Sequence, residues 1–264
     1  MIIDSHCHIY PDKIAQKASL ATGNFYSLPM EYDGSVSLLL KAGAEAGIDR
    51  FIVESVATTP AQVNSINSFI AKTVADYSDK MFGLGTMHPD SEDLQGDIEK
   101  IKELGLKGVK LHPDIQNFKI DDYRCLKIYE LCEKNNLPVL VHAGDKRYDN
   151  SNPNRLLPIL KIYENLTVIG AHFGGYSVWD EAVEKLAGIK NLYVDCSSSF
   201  HALSDEQIKR LIFAYGVDKV LFGTDYPMWN MKTVTDRLLS LNLGEEINEK
   251  IFCKNICKVY NLDL

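Results

Sequence analysis

Short apolar segments alternate with longer amphipathic segments eight times along this chain of 264 residues. The first apolar segment ends at His8, and seven more cover residues 50–54, 81–87, 108–112, 138–142, 166–172, 191–195 and 219–225. Helical periodicity covers residues 35–47, 60–77, 91–104, 122–135, 154–163, 178–187 and 204–215, with two last helices at about 231–241 and 245–260. Eight strand–helix units predict an α/β protein, a (β/α)₈ TIM barrel that forms a single domain over residues 1–264.

An open, doubly wound sheet is the alternative fold for such an alternation. It would be expected to carry a glycine-rich phosphate-binding loop after an early strand, and the chain has none. The strands are almost continuously apolar, which is typical of a parallel sheet covered by helices. Residues 12–33 are polar and rich in aromatic side chains, and we expect them to form a long loop after the first strand.

Composition and charge exclude some classes of function. The formal net charge is −8 and lysines and arginines are not clustered, so a nucleic-acid partner is not expected. The six cysteines form no C-x-x-C pair, which indicates reduced thiols. No signal peptide and no membrane-spanning segment are recognisable, so we expect a cytoplasmic protein with no membrane partner. A homodimer is a possibility on base rates alone.

The end of the first strand carries the motif Asp4-Ser5-His6-Cys7-His8. Side chains alternate between the two faces of a strand, so His6 and His8 project to the same side. Two adjacent imidazoles can bind one divalent metal ion. Cys7 turns to the opposite face, where we expect it to pack in the core.

Three further strands end in a residue that can bind a metal or work beside one, namely His142, His172 and Asp225. A single histidine at a strand end is usually structural. Packing alone, however, would not gather five such residues at the carboxyl ends of parallel strands, which is the rim where barrel enzymes build their sites. The pattern predicts a metal site at this rim.

Three motifs resemble those of one enzyme family. The first-strand motif is similar to that of the amidohydrolase superfamily. His172-Phe173-Gly174-Gly175 and Leu221-Phe222-Gly223-Thr224-Asp225-Tyr226-Pro227 resemble motifs of its amidohydrolase-2 branch, which includes aminocarboxymuconate-semialdehyde decarboxylase and related hydrolases. The resemblance implies that the metal ligands are His6, His8, His142 and Asp225. It also implies that His172 polarises the substrate or water.

Histidines and a carboxylate around Zn²⁺ leave one coordination position open, and a water there has a pKa near about 7. Asp225 can then accept a proton and pass it to a leaving group. We expect one divalent ion, zinc first and manganese as the alternative. A second ion remains open, because Lys110 on the fourth strand could be a carboxylated bridge, a charge facing the substrate, or the partner of Asp4 or Glu54.

Other rim residues are predicted to contact a small-molecule substrate. They are Lys110, His112, Arg147, Tyr226 and Trp229. Arg147 can pair with a substrate carboxylate or lie at the surface, and Trp229 can form a cavity wall or pack on a helix. We expect a structural loop role for His88, and His201 is only a weak site candidate.

These observations predict a metal-dependent hydrolase that attacks an amide, ester or lactone carbonyl with metal-activated water. The alternative is a metal-dependent decarboxylase of a small unsaturated or aromatic acid. A barrel-type phosphodiesterase or deoxyribonuclease is less favoured, because it would need a bridging carboxylate and a basic entrance.

Overall fold

A computed structural model describes residues 1–263 and contains nine strand segments, all paired in parallel. Their bounds are β1 Ile3–His8, β2 Arg50–Glu54, β3 Met81–Gly83, β4 Gly85–Thr86, β5 Val109–Leu111, β6 Val139–Val141, β7 Val168–Gly170, β8 Leu192–Asp195 and β9 Val220–Leu221. Segments β3 and β4 are two halves of one strand, interrupted at Leu84, and they correspond to the predicted strand over residues 81–87.

Hydrogen bonds between the first and last strands close the sheet. The Ser5 amide donates to the Phe222 carbonyl oxygen over 2.9 Å, and the Asp225 amide donates to the His6 carbonyl oxygen over 3.0 Å. Cys7 and Tyr226 form a parallel bridge just beyond β9. The predicted TIM barrel is therefore confirmed.

Helices follow the strands as the sequence pattern predicts. They are α1 Ala15–Tyr26, α2 Val36–Glu45, α3 Val63–Asp76, α4 Leu94–Glu103, α5 Pro113–Gln116, α6 Tyr123–Lys134, α7 Pro153–Ile162, α8 Trp179–Leu186, α9 Asp205–Tyr215, α10 Met231–Ser240, α11 Glu245–Glu249 and α12 Asn255–Tyr260. A 3₁₀ turn at Pro60–Gln62 precedes α3, and a π-helical turn at Lys250–Lys254 joins α11 to α12.

Helix α1 corrects the prediction of a long loop over residues 12–33. Its buried positions are Ala15, Ser19 and Gly23, which are four residues apart and lie on one face. Because all three side chains are small, this buried face gives no hydrophobic periodicity, and the apolar residues with helical spacing lie on the opposite, more exposed face. The four-residue helix α5 was also not predicted.

The apolar core has two layers, one on each side of the barrel wall. One lies inside the barrel and includes Ile3, Ile52, Leu140, Ile169 and Leu221. The other lies between the strands and the helices, and Cys7 is fully buried in it, as expected. The two layers fix the strands in register, so the polar residues that end them meet at one rim.

Among residues 1–263, we find no helix with the length and apolar character that crossing a membrane requires.

Asp4 links β1 to the segment after β9 and provides a test of barrel closure. Its buried carboxylate accepts hydrogen bonds from the Thr224 amide over 3.0 Å, the His6 amide over 3.1 Å, and the Thr224 hydroxyl. We expect Asp4→Ala to lower the free energy of unfolding by about 3 kcal/mol, because buried donors would lose their acceptor.

Denaturant unfolding followed by circular dichroism measures this effect. The matched control is Asp76→Ala, which removes an exposed ion pair with Lys72 and should cost about 0.5 kcal/mol or less. Equal losses in the two variants would contradict the role assigned to Asp4.

Candidate metal centre and active site

A cavity of about 510 Å³ opens at the carboxyl ends of the strands, with α1 and α3 forming its upper walls. Seven of the predicted site residues line it: His6, His8, Lys110, His112, His142, His172 and Asp225. The structure thus brings together residues that lie more than two hundred positions apart in the chain.

Three of the four predicted ligands converge on one point. His6 Nε2 lies 3.2 Å from His8 Nε2 and 3.4 Å from Asp225 Oδ1, and His8 Nε2 lies 3.7 Å from the same oxygen. Donor atoms that share one tetrahedral zinc ion are about 3.4 Å apart, given bonds of about 2.0–2.1 Å. These three side chains therefore fit a single divalent ion.

Glu54, at the end of β2, lies beside this cluster. Its Oε1 is 3.3 Å from His6 Nε2 and 3.9 Å from His8 Nε2, and the side chain is fully buried. The Lys110 ammonium group lies 3.1 Å from the same oxygen, yet neither carboxylate oxygen accepts a hydrogen bond of good geometry. Burial raises the pKa of Glu54, and the nearby Lys110 and His6 do not fully offset that effect. A buried carboxylate short of donors indicates a place for a cation.

Asp195, at the end of β8, fixes the orientation of His6. Its Oδ2 accepts a hydrogen bond from His6 Nδ1 over 2.9 Å, which leaves the His6 Nε2 lone pair directed at the cluster. The other oxygen accepts from the His172 amide over 3.1 Å and the Ser197 amide over 3.0 Å. Burial raises the pKa of Asp195, but His6, His172 and the hydroxyl of Ser197 outweigh it and hold the pKa well below its usual range.

Sequence reasoning missed Asp195 and considered Glu54 only as a partner for Lys110. A signal was available, because both residues end predicted strands in the same way as His142 and Asp225 do. An acidic residue is common at a strand end, however, and its type alone does not mark it as part of a site.

The structure does not bring His142 into the His6–His8–Asp225 cluster, contrary to the predicted ligand set. Its Nδ1 faces His172 Nε2 at 3.0 Å, and its buried Nε2 lies 3.4 Å from Asp114 Oδ2 without forming a hydrogen bond. The His112 ring stacks on it at 4.0 Å with a 6° interplanar angle. His112, Asp114 and His142 thus form a second buried group of potential ligand atoms, separate from the His6–His8–Asp225 cluster.

His172 occupies a defined tautomer at the cavity floor. Its Nδ1 is 3.1 Å from the Ser197 carbonyl oxygen, which can only accept, so Nδ1 carries the proton and Nε2 is the acceptor. Burial lowers the pKa of His172 to about 4 and lowers the pKa of His8 and His142 well below the usual value. These imidazoles are neutral at pH 7, as metal binding and proton acceptance both require.

Only some of the residues predicted to contact the substrate line the cavity. Lys110 and His112 line the cavity, and His112 Nε2 is 2.8 Å from the Tyr26 hydroxyl. Arg147 lies outside it, with its guanidinium bound to both oxygens of Asp145 and to the Phe25 carbonyl oxygen. Asp145 and Phe25 thus hold the guanidinium away from the cavity lining, contrary to the predicted contact with a substrate carboxylate.

Tyr226 and Trp229 also lie outside the main cavity. Tyr226 is fully buried and donates its hydroxyl to the Ser35 carbonyl oxygen over 2.7 Å. Trp229 lines a smaller neighbouring cavity of about 250 Å³, where it stacks on His201 at 4.1 Å. Its indole nitrogen donates to Ser198 Oγ over 2.6 Å, and Ser198 in turn donates to Asp225. Trp229 thus reaches the site through Asp225 rather than as a wall.

His88 lies outside the cavity lining, as expected for a structural loop residue. Its Nδ1 accepts a hydrogen bond from the Asp90 amide over 3.2 Å, which holds the turn after β4.

Comparisons with known proteins agree with this fold. A curated relative, 2-amino-3-carboxymuconate-6-semialdehyde decarboxylase of Dictyostelium discoideum, is 25% identical, and the match spans 75% of this chain but only 66% of that protein. An uncharacterised TIM-barrel protein of Bordetella bronchiseptica superposes with a TM-score of 0.82 at 23% identity, covering 98% of this chain and 97% of the other. A dihydroxybenzoic acid decarboxylase of Polaromonas, solved with bound manganese, gives 0.75 at 16% identity, covering 99% and 97%.

A family model matches almost the whole chain. The family model described as amidohydrolase matches residues 3–262. The match includes every strand of the barrel and each of the side chains at its rim. The chain therefore belongs to the amidohydrolase family.

Proposed function

We propose that this chain is a metal-dependent decarboxylase of a small organic acid. Decarboxylation was the alternative function expected from the sequence, and we now favour it over hydrolysis. The curated relative and the manganese-bound neighbour are both named as decarboxylases, which supports this order. The structural support is the cavity itself, because Lys110 and Asp225 are the only lysine, arginine, aspartate or glutamate residues lining it in the part of the chain described.

The buried charges support a divalent ion at the floor. The carboxylates of Glu54, Asp195 and Asp225 all contact His6. The ammonium group of Lys110 contacts His6 as well and is the one positive charge of this cluster. The formal sum is 1 − 3 = −2 when His6 is neutral. Burial and Lys110 lower the pKa of His6, but Asp195, Glu54 and Asp225 outweigh them and raise it, so the cluster attracts a cation, either a proton or a metal ion. We assign the ion to His6, His8 and Asp225, with Glu54 as the next carboxylate. We favour manganese or zinc and one ion over two.

The bound ion would supply positive charge that attracts a substrate carboxylate or neighbouring oxygen and stabilises the electron density left on carbon when CO₂ departs. The protein provides the remaining functions. Lys110 keeps Glu54 and His6 in place, and Asp195 keeps the His6 ring in the required tautomer.

Decarboxylation replaces the carboxyl group by a proton, so the site needs a group that can carry a proton to carbon. His172 lines the cavity with Nδ1 anchored to the Ser197 carbonyl oxygen and Nε2 facing His142 Nδ1 at 3.0 Å, so this pair of imidazoles can take a proton and return it. Asp225 is the second candidate, and Ser198 holds its other oxygen. The mostly uncharged walls favour loss of charge from the carboxylate.

The direct test is CO₂ release in D₂O from a panel of aromatic and unsaturated acids, measured by mass spectrometry of the gas and the product. Decarboxylation should give one equivalent of CO₂ and one deuterium at the carbon that lost it. Hydrolysis of lactones or esters, with no CO₂ release from any acid, would contradict decarboxylation and support a hydrolase.

We expect His172→Asn to lower kcat for CO₂ release by about 100- to 10,000-fold, because the proton carrier is lost. Metal content should remain unchanged, because His172 is not among the assigned ligands. The control is His88→Asn, which keeps a hydrogen-bond acceptor in a loop outside the cavity and should leave kcat near the wild-type value. Loss of metal in His172→Asn would contradict the assignment of this residue to proton transfer.

Metal affinity tests the ligand assignment separately. We expect His8→Ala to abolish stoichiometric binding, and Glu54→Gln to weaken binding about 10- to 100-fold, the usual effect of removing a supporting carboxylate. Titration of the chelator-treated protein with Mn²⁺, followed by calorimetry and elemental analysis, measures both.

Glu164→Gln serves as the matched control, since Glu164 is exposed at the surface. Unchanged affinity in Glu54→Gln, or two ions per wild-type chain, would require a different ligand set.

A further inference from the structure

The upper part of the cavity is formed by two helices. Ile14, Ala18, Ala21 and Phe25 recur along one face of α1 and line it on one side. Ile66 and Phe69 of α3 line it on another. Thr22, Ser65 and Gln62 also line this part, but most of its surface is apolar, and two of the apolar residues on α1 are alanines.

Helix α1 is held in place by its other face, so the space beside its alanines persists. Ser19 Oγ donates to the Tyr32 carbonyl oxygen over 2.8 Å. Gly23 packs so closely that an added Cβ would lie 2.8 Å from the Leu28 carbonyl oxygen and 2.9 Å from Met30 Cγ. These contacts fix the distance of α1 from the rim, and the short side chains of Ala18 and Ala21 leave the gap open.

The charged side chains that line the cavity, and the buried nitrogen that lacks a hydrogen-bond partner, all lie at the cavity floor near the strand ends. The Lys110 ammonium group is already 3.1 Å from Glu54, so it offers little attraction to a second anionic group. His142 Nε2 is buried at the floor and has no hydrogen-bond partner, although its residue lines the cavity. The charged partners for a ligand therefore lie at one end of the cavity, and a mostly apolar surface with a few uncharged polar side chains lies at the other.

We infer that the substrate is an acid with a single carboxylate and an apolar arm, alkyl or aryl, which lies between α1 and α3 against Ala18 and Ala21. This inference rests on the proposed function for the identity of the acid group at the floor. It adds the shape and charge of the rest of the molecule, and it makes Ala18 and Ala21 determinants of specificity.

Binding of a homologous series tests the inference without any need for turnover. The probes are 4-methyl- to 4-pentylbenzoate, titrated into the manganese-loaded protein by calorimetry. Burial of the arm should tighten Kd by about 3- to 4-fold for each added methylene, the equivalent of about 0.8 kcal/mol. A terminal carboxylate on the same arm should weaken binding at least tenfold. Affinity that does not change with arm length, or tighter binding of the diacid, would overturn the inference.

Two substitutions locate the arm. Ala18→Leu and Ala21→Leu each fill part of the gap, and we expect each to reduce the gain per methylene while affecting the methyl compound least. Gln16→Leu adds the same side chain at an exposed position of α1 outside the cavity lining, and should preserve the wild-type series. If both alanine variants retain the full dependence on arm length, the arm does not lie there. If both unfold, the wild-type series and the diacid comparison still decide the substrate class.

The two proposals fail in different ways. Tightening along the series with no CO₂ release from any acid would reject decarboxylation and leave the shape of the ligand supported. CO₂ release from short acids with a flat binding series would support decarboxylation and reject the apolar arm.

Discussion

Pairing between the first and last strands of the barrel determines whether this chain has a site at all. His6 and Asp225 are far apart in sequence, and the hydrogen bond from the Asp225 amide to the His6 carbonyl oxygen brings them together. The carboxylate of Asp4 reinforces this junction through the Thr224 amide and hydroxyl. Because backbone pairing sets the separation, the two side chains lie within 3.4 Å of each other before any ligand arrives.

The same closure places several like charges in a region with little water. Carboxylates are costly to bury unless they are paired, and here three of them surround one histidine with a single lysine for balance. Asp195 is stabilised by the His6 ring and by backbone amides, whereas Glu54 lacks well-formed hydrogen bonds. The excess of negative charge is therefore concentrated on the side of His6 that faces the cavity. A divalent ion bound there would offset this charge, and its binding would therefore stabilise this end of the barrel.

The sequence predicted those parts of the structure that depend on regular alternation. Strand periodicity placed His6 and His8 on one side and Cys7 on the other, and the strand ends identified the rim. The same alternation also argues against Tyr226 as a substrate contact, because it follows Asp225 directly, and the structure buries it on the far side. The position of the His142 ring depends on contacts with Asp114, His112 and His172, which come from different strand ends, and no local pattern encodes them.

Helix α1 keeps its anchoring residues and its cavity-lining residues on different faces. Its anchoring face uses Ala15, Ser19 and Gly23, and its cavity face uses Ala18 and Ala21, so no side chain serves both purposes. Residues that hold the helix and residues that meet the ligand can therefore change independently. Larger side chains in place of Ala18 and Ala21 would leave the contacts of Ser19 and Gly23 unchanged. In this way one barrel could accommodate acids of different lengths without rebuilding its metal centre.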